Sequence, residues 1–331
     1  MKNAFLSFIV CLLVFSCQNE KTDYQTFKCF VDLKIDMFPD SSFFSDIRCM
    51  QYDQNHIYIL DVKRRNIVCL DDNLNNIKTT GTPGLGPQEL ASAYKFYVQQ
   101  DTIYIMDMGS KSIKTFLNGQ FITGITNINA IDKRFFYINK LFYLPYVTDS
   151  CTFAVINNYK NDVENKFYQC GGLIEKFQTK GETLIRNARN LLYKNGDSVF
   201  YAVSDNLKNI EKYNLNSLSL ISNYDLSNIP LVRKNLTFIE QQPHEEFSYF
   251  SPIRDVYIAN NAIYILYGKL EKPVKTNQLI KIALHPQMKV SAIYSLPGNI
   301  YESICLSNEY IFAFNYLEGT IEKIKMPDHE K

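Results

Sequence analysis

The sequence predicts an all-β protein, a six-bladed β-propeller closed on itself by a strand from the start of the chain. Three observations predict it. Aromatic side chains make up 14% of the 331 residues, carried by 23 Tyr and 23 Phe with no Trp, and Tyr and Phe suit the half-buried surface of a pleated strand. One unit, an apolar strand, a polar turn and a second strand, recurs about six times at intervals of roughly 40 to 60 residues, the period of a four-stranded blade. Between the copies there is almost no helical periodicity, which argues against α/β folds and helical solenoids.

At the N-terminus, Lys2 precedes a mostly apolar, uncharged run over residues 4–15. A helix needs ~20 residues to span a bilayer, so this run is too short for a permanent span and fits the centre of a secretory signal peptide. It ends in Val14-Phe15-Ser16-Cys17, which resembles the lipobox of bacterial lipoproteins. The resemblance implies lipidation at Cys17 and a cell-envelope protein. Its membrane partner is reached through that anchor, most simply at the outer membrane, facing the periplasm or the surface. The expected division is a signal peptide over 1–16, a tether over 17–25, the propeller over 26–327 and a tail over 328–331.

The repeats follow in order. The first copy is Ile57-Tyr58-Ile59-Leu60-Asp61 with Asn66-Ile67-Val68-Cys69-Leu70. The second is Ile103-Tyr104-Ile105-Met106-Asp107 with Ser112-Ile113-Lys114-Thr115-Phe116. A third begins at Leu141. The fourth is Val199-Phe200-Tyr201-Ala202-Val203 with Asn209-Ile210-Glu211-Lys212-Tyr213, and the fifth is Ile263-Tyr264-Ile265-Leu266-Tyr267 with Gln278-Leu279-Ile280-Lys281-Ile282. The sixth, Ile311-Phe312-Ala313-Phe314 with Thr320-Ile321-Glu322-Lys323-Ile324, lacks a fourth strand before the chain ends. Residues 27–35 alternate, with Phe27, Cys29, Val31, Leu33 and Ile35 on one face. A strand there completes the last blade and removes an unpaired edge.

The Ile-Tyr-Ile-Leu-Asp and Ile-Tyr-Ile-Met-Asp units resemble NHL-type repeats. Between the first two blades, Gly81-Thr82-Pro83-Gly84-Leu85-Gly86-Pro87-Gln88-Glu89-Leu90 resembles the blade junction of TolB-like six-bladed propeller lipoproteins of Bacteroidetes-type bacteria. That resemblance implies fold and location rather than an activity.

With 35 basic and 34 acidic residues the net charge is +1, which gives no electrostatic footprint for nucleic acid. Outside Cys11 and Cys17, six cysteines remain. Most sit in apolar strands, where Cys behaves as a small hydrophobe. They read as buried free thiols, with Cys151 and Cys170 the plausible disulfide pair.

In a propeller the strand-two-to-three loops and the interblade connections share one face. The long connections at 171–190, 227–251 and 268–277 fall there, and short turns such as 53–56, 72–76 and 285–289 fall on the other. Loops on a rigid scaffold carry function, so the candidate ligand-binding residues lie on the long-loop face. They are Arg64 and Arg65, able to hold a carboxylate or phosphate, Glu89, and His244, Glu245 and Tyr249 in the largest insertion. Asp61 and Asp107 are expected to hydrogen-bond the turns that follow them.

No Gly-x-Ser-x-Gly elbow, P-loop or zinc-protease helix is present. No cofactor or metal ligand is assigned. Of the His residues, His56 and His285 fall on one face, His244 on the other and His329 in the tail, badly placed for a shared metal. The expectation is a lipid-tethered binding module for a glycan, peptide or protein. The alternative is a metal-dependent hydrolase or lyase with calcium in the central channel.

Overall fold

The computed structural model describes residues 24–38, 40–157, 167–206, 208–242, 250–270 and 272–327. The signal peptide, Cys17 and most of the tether lie outside these residues, as do the tail and His244, Glu245 and Tyr249.

Six small sheets form the blades, each with four antiparallel strands that run from axis to rim in sequence order, except that the rim strand of blade 6 comes from the N-terminus. Blade 1 is Ile47–Asp53, His56–Asp61, Asn66–Asp71 and Asn76–Thr80; blade 2 is Ala93–Gln99, Thr102–Asp107, Ser112–Leu117 and Gln120–Ile125. Blade 3 is Phe136–Ile138, Leu141–Pro145, Phe153–Asn157 and Phe167–Gly171; blade 4 is Arg189–Tyr193, Val199–Ser204, Asn209–Asn214 and Leu220–Asp225. Blade 5 is Ile253–Ala259, Ala262–Lys269, Lys275–Ala283 and Lys289–Ser295; blade 6 is Tyr301–Leu306, Tyr310–Asn315, Thr320–Lys325 and the N-terminal strand Phe30–Ile35.

The core lies between blades. Ile57 and Ile59 pack toward blade 6, whereas Tyr58 and Leu60 of the same strand pack toward blade 2. Second strands are therefore buried on both faces and read as continuous apolar runs instead of alternating ones. Three of the blades carry a buried charge at the same place in the third strand. Lys114 pairs with Asp107 at 3.0 Å, Glu211 with Arg189 at 2.9 Å, and Glu322 accepts from the Tyr301 hydroxyl at 2.6 Å and the Asn315 amide at 2.9 Å.

The N-terminal segment closes the ring, but not as one strand over 27–35. Gln25–Lys28 pairs in parallel with the outer strand of blade 5, and Phe30–Ile35 then pairs antiparallel with Thr320–Lys325. Cys29, at the step between them, is buried and donates its N–H to the Ser295 carbonyl at 3.0 Å. A bulge between Val31 and Leu33 breaks the expected alternation, and Val31 and Leu33 face solvent.

Two further differences concern the long connections. The one expected over 268–277 shrinks to 270–274, because Ala262–Lys269 and Lys275–Ala283 run on into it. The other two carry short helices, α1 (Lys180–Arg186) and α2 (Pro230–Glu240). Thr179 caps α1, its hydroxyl accepting from the Glu182 N–H at 3.0 Å, and Pro230 opens α2 where a missing N–H costs nothing.

Candidate functional site

Blade 3 has a three-residue inner strand where blades 1, 2 and 5 have seven. Arg134, two residues ahead of it, turns into the axis instead. Its N–H donates to Asn190 Oδ1 at 3.0 Å and its carbonyl accepts from the Leu191 N–H at 2.8 Å, so blade 4 fixes the backbone. The guanidinium holds Asp255 of blade 5 with two parallel bonds, Nε to Oδ1 at 2.8 Å and Nη2 to Oδ2 at 2.7 Å. It also donates to the carbonyls of Met50 in blade 1 at 3.3 Å and Ile304 in blade 6 at 3.2 Å. Asp255 accepts in addition from the Ser303 hydroxyl and the Ile304 N–H, each at 2.9 Å. Both side chains are buried. Burial alone would push the Asp255 carboxyl up; Arg134 outweighs it and holds the group below its ordinary value. One ion pair thus ties five of the six blades together and closes the axis.

Calcium in the channel does not fit these residues. A guanidinium occupies the axis and both Asp255 oxygens are engaged, while no group of three or more His, Cys, Asp or Glu is placed for a metal among the described residues. The melting temperature is expected to be the same in calcium and in a chelator. A calcium-dependent rise would contradict this, because a ligand of the native state alone stabilises it.

Beyond Arg134, on the short-turn face, the channel opens as a well of about 200 Å³ walled by Tyr52, Tyr97, Tyr193 and Tyr257, with Asp53 and Lys194 at its edge. The Tyr257 hydroxyl donates to the Tyr52 carbonyl at 3.1 Å and accepts from the Tyr52 N–H at 3.0 Å, linking blades 5 and 1. Burial pushes the Asp53 carboxyl up, although it accepts the Gln100 N–H at 3.0 Å. Lys194 donates to Asn261 Oδ1, reaching from blade 4 to blade 5.

A second cavity, of about 430 Å³, shares Tyr52, Tyr257 and Ile258 with the well and continues past Asn55, Asp72 and Tyr310. A third, of about 410 Å³, shares Asn260, Asn308 and Glu309 with the second and runs outward between blades 5 and 6 to Lys281 and Lys325. Together they form one groove from axis to rim. Lys323 props its Tyr310 wall, with Nζ 4.1 Å from the ring centroid and donating to the Asp72 carbonyl at 2.8 Å.

The groove's amides come from turn chemistry. Gln54 and Asn55, and Asn260 and Asn261, have φ between 49° and 62°. Tight hairpin turns need positive φ at both central residues, which Asn tolerates better than most. Asn55 and Asn260 of these turns then line the second cavity.

The long-loop face is filled differently. Asn187, behind α1, donates to the carbonyls of Glu175 and Thr183, each at 2.7 Å, and folds that connection down. Asn235 of α2 is buried and donates to the Gly268 carbonyl. A hollow of about 440 Å³ lies along α2 beside Arg233, Thr237 and Phe238.

Of the sequence candidates on this side, Arg64 and Glu89 are engaged within the fold. Arg64 pairs with Asp40 at 2.9 Å, donates to Ser42 Oγ and lies 4.2 Å from the Phe38 ring centroid. Arg65 is exposed in a turn with φ 54°. Glu89 accepts the Gly86 N–H at 2.7 Å, and its carboxylate fills the space beside Gly84, where a Cβ would lie 2.0 Å from Oε2. Asp61 accepts the Lys63 and Arg64 N–H groups at 3.0 and 3.2 Å. Asp107 accepts the Ser110 hydroxyl at 2.7 Å and the N–H groups of Ala91 and Ser92. No hydrogen bond or ion pair among the described residues joins Arg64 to Glu89. Sequence reasoning misses Arg134, Asp255, Tyr257 and the groove asparagines. Only the turn dipeptides among them leave a sequence signal.

No protein-family model matches the chain, and no curated protein matches it. Solved structures do. A Bacteroides fragilis protein described as exported is 13% identical with a TM-score of 0.54, covering 92% of this chain and 99% of its own. A member of the duf4221 family from Bacteroides vulgatus is 11% identical with a TM-score of 0.54, covering 91% and 98%. Virginiamycin B lyase from Staphylococcus aureus is 12% identical with a TM-score of 0.52, covering 89% and 99%. The likeness is one of fold. At these identities it carries no activity across.

Proposed function

We propose that this chain is a lipid-anchored, TolB-like propeller of the bacterial cell envelope that binds an elongated, polar, nearly neutral ligand, an oligosaccharide, along its short-turn face. One observation carries the reading: three cavities with shared walls form a groove of tyrosines and amides. Tyrosine gives a broad, rigid face with a polar tip at little entropic cost, and Asn supplies adaptable donors and acceptors. Sugars need both, a C–H face to stack and vicinal hydroxyls to pair. The groove's acids, Asp53, Asp72 and Glu309, are matched by Lys194, Lys281 and Lys325, so it selects against strong charge of either sign.

The test is migration through native gels containing soluble xylan, β-glucan, mannan or galactan. At least one polysaccharide is expected to retard the protein. Tyr310→Ala is expected to weaken that binding at least ~10-fold, about 1.4 kcal/mol, and Arg233→Ala on α2 to leave it unchanged. Retardation by none, or its loss in Arg233→Ala alone, would overturn the reading.

The anchor rests on Val14-Phe15-Ser16-Cys17, outside the described residues. No helix of the described residues is long and apolar enough to cross a membrane. From Cys17 to Tyr24 the chain reaches at most about 25 Å, which holds the rim of the propeller near the bilayer surface. Cys17→Ala is expected to move the protein from the membrane to the soluble fraction; retention in the membrane fraction would rule the lipidated cysteine out.

A further inference from the structure

We infer that Cys151 and Cys170 form a disulfide that staples the root of the long-loop face, across the outer hairpin of blade 3. Cys151 ends the loop from Leu141–Pro145 to Phe153–Asn157, and Cys170 lies in the outer strand Phe167–Gly171. The residues that follow them are bonded to each other, the Thr152 N–H donating to the Gly171 carbonyl at 2.8 Å. Two glycines let the segments meet. A Cβ on Gly171 would lie 2.6 Å from the Phe153 ring, and one on Gly172 would lie 1.8 Å from Thr152 Oγ1.

Both side chains are thiols in the structure, Cys151 buried and Cys170 exposed, and the two are close enough to share a hydrogen bond. Of the other described cysteines, Cys29 and Cys305 are buried in separate interblade cores, and Cys49 and Cys69 are buried together in a third. Among the described cysteines, only this pair joins a reachable thiol to a neighbour.

The chemistry is thiol–disulfide exchange. One thiol loses its proton and attacks an acceptor disulfide, releasing one acceptor thiol. The second then displaces the other acceptor sulfur and closes the bond. Two protons and two electrons leave the pair, and the acceptor is reduced to two thiols. The acceptor is a disulfide oxidant of an exported compartment, for which oxidised glutathione is the laboratory substitute. Burial, and after it the neighbouring Cys151, push the Cys170 thiol up to about 11. So placed, it is a poor thiolate at neutral pH, which marks the bond as a structural staple rather than a catalytic pair.

The staple would fix the start of the connection that carries α1. It needs nothing from the short-turn groove, so it stands or falls separately from ligand binding.

The full-length protein, recovered in detergent without reductant and equilibrated with oxidised glutathione, is alkylated before and after unfolding and digested. The expected product is one peptide pair linked through Cys151 and Cys170, lighter by two hydrogens, with Cys29, Cys49, Cys69 and Cys305 alkylated only after unfolding. Reductant is expected to lower the melting temperature by roughly 5 °C, and Cys151→Ser to remove that response. Both thiols alkylated after oxidation would overturn the assignment. So would Cys170 capped by glutathione, or Cys170 linked to a second copy of the chain.

Discussion

Arg134→Ala is expected to lower the unfolding free energy by ~3–5 kcal/mol at neutral pH, measured by urea denaturation. Truncation leaves the Asp255 carboxylate buried with its bidentate partner gone. An uncompensated buried charge costs more than the intact pair contributes, because the low-dielectric interior no longer returns any Coulomb energy for the lost hydration. The Met50 and Ile304 carbonyls lose donors at the same time.

The sign with pH follows from the two states of Asp255. In the native protein Arg134 keeps its carboxyl below the ordinary value. Its contribution is therefore complete above an unfolded pKa of about 3.9 and is lost as pH falls through the lower folded value. Without Arg134, burial pushes the carboxyl up, and stability is gained as it protonates. The gap between wild type and Arg134→Ala should thus be widest near neutrality and shrink in acid. A gap that widens in acid would show that Arg134 serves packing instead. The double variant Arg134→Met with Asp255→Leu should cost less than the two single variants summed, since neither charge is stranded.

Removing residues 24–35 is expected to leave no cooperatively folded ring, a loss on the order of 5 kcal/mol or more, comparable to the whole stability of an ordinary domain. Of its side chains only Cys29 is buried, but with the half-buried Tyr24, Phe27 and Ile35 it enters three separate cores. Tyr24 packs between blades 4 and 5, Phe27 and Cys29 between blades 5 and 6, and Ile35 between blades 6 and 1. Phe27 also stacks on Tyr294 with ring centroids 5.6 Å apart. Deletion would expose Thr320–Lys325 as an open edge, a template for aggregation. Circular dichroism melting and size-exclusion chromatography read the result. A monomer that melts at the wild-type temperature would show that the segment decorates a ring held closed by other contacts.

The blades were legible because their second and third strands are buried on both faces, which writes runs such as Ile103-Tyr104-Ile105-Met106 into the sequence. Closure was legible because the sixth copy stops one strand short. The split at Cys29 was not, since a parallel addition to blade 5 and a bulge at an exposed rim leave no period-two signature. Helix α2 hid in a connection because only Val232 and Asn235 are buried on it.

The axis and the groove were illegible for a different reason. Arg134 and Asp255 are 121 residues apart and meet only because blades 3 and 5 both face the centre. The groove is assembled from turns of separate blades, each of which reads alone as an ordinary hairpin. Long loops drew attention to the opposite face, yet Asn187 and Asn235 fold those loops onto the body, whereas short turns leave the interblade spaces open.

Amide hydrogen exchange of the protein, with and without fragments of the polysaccharide that retards it, tests the binding face most directly. The account predicts slowed exchange at the turns around 52–57, 257–262 and 306–311, with 230–241 unchanged. Protection confined to 230–241, or none at those turns, would contradict it.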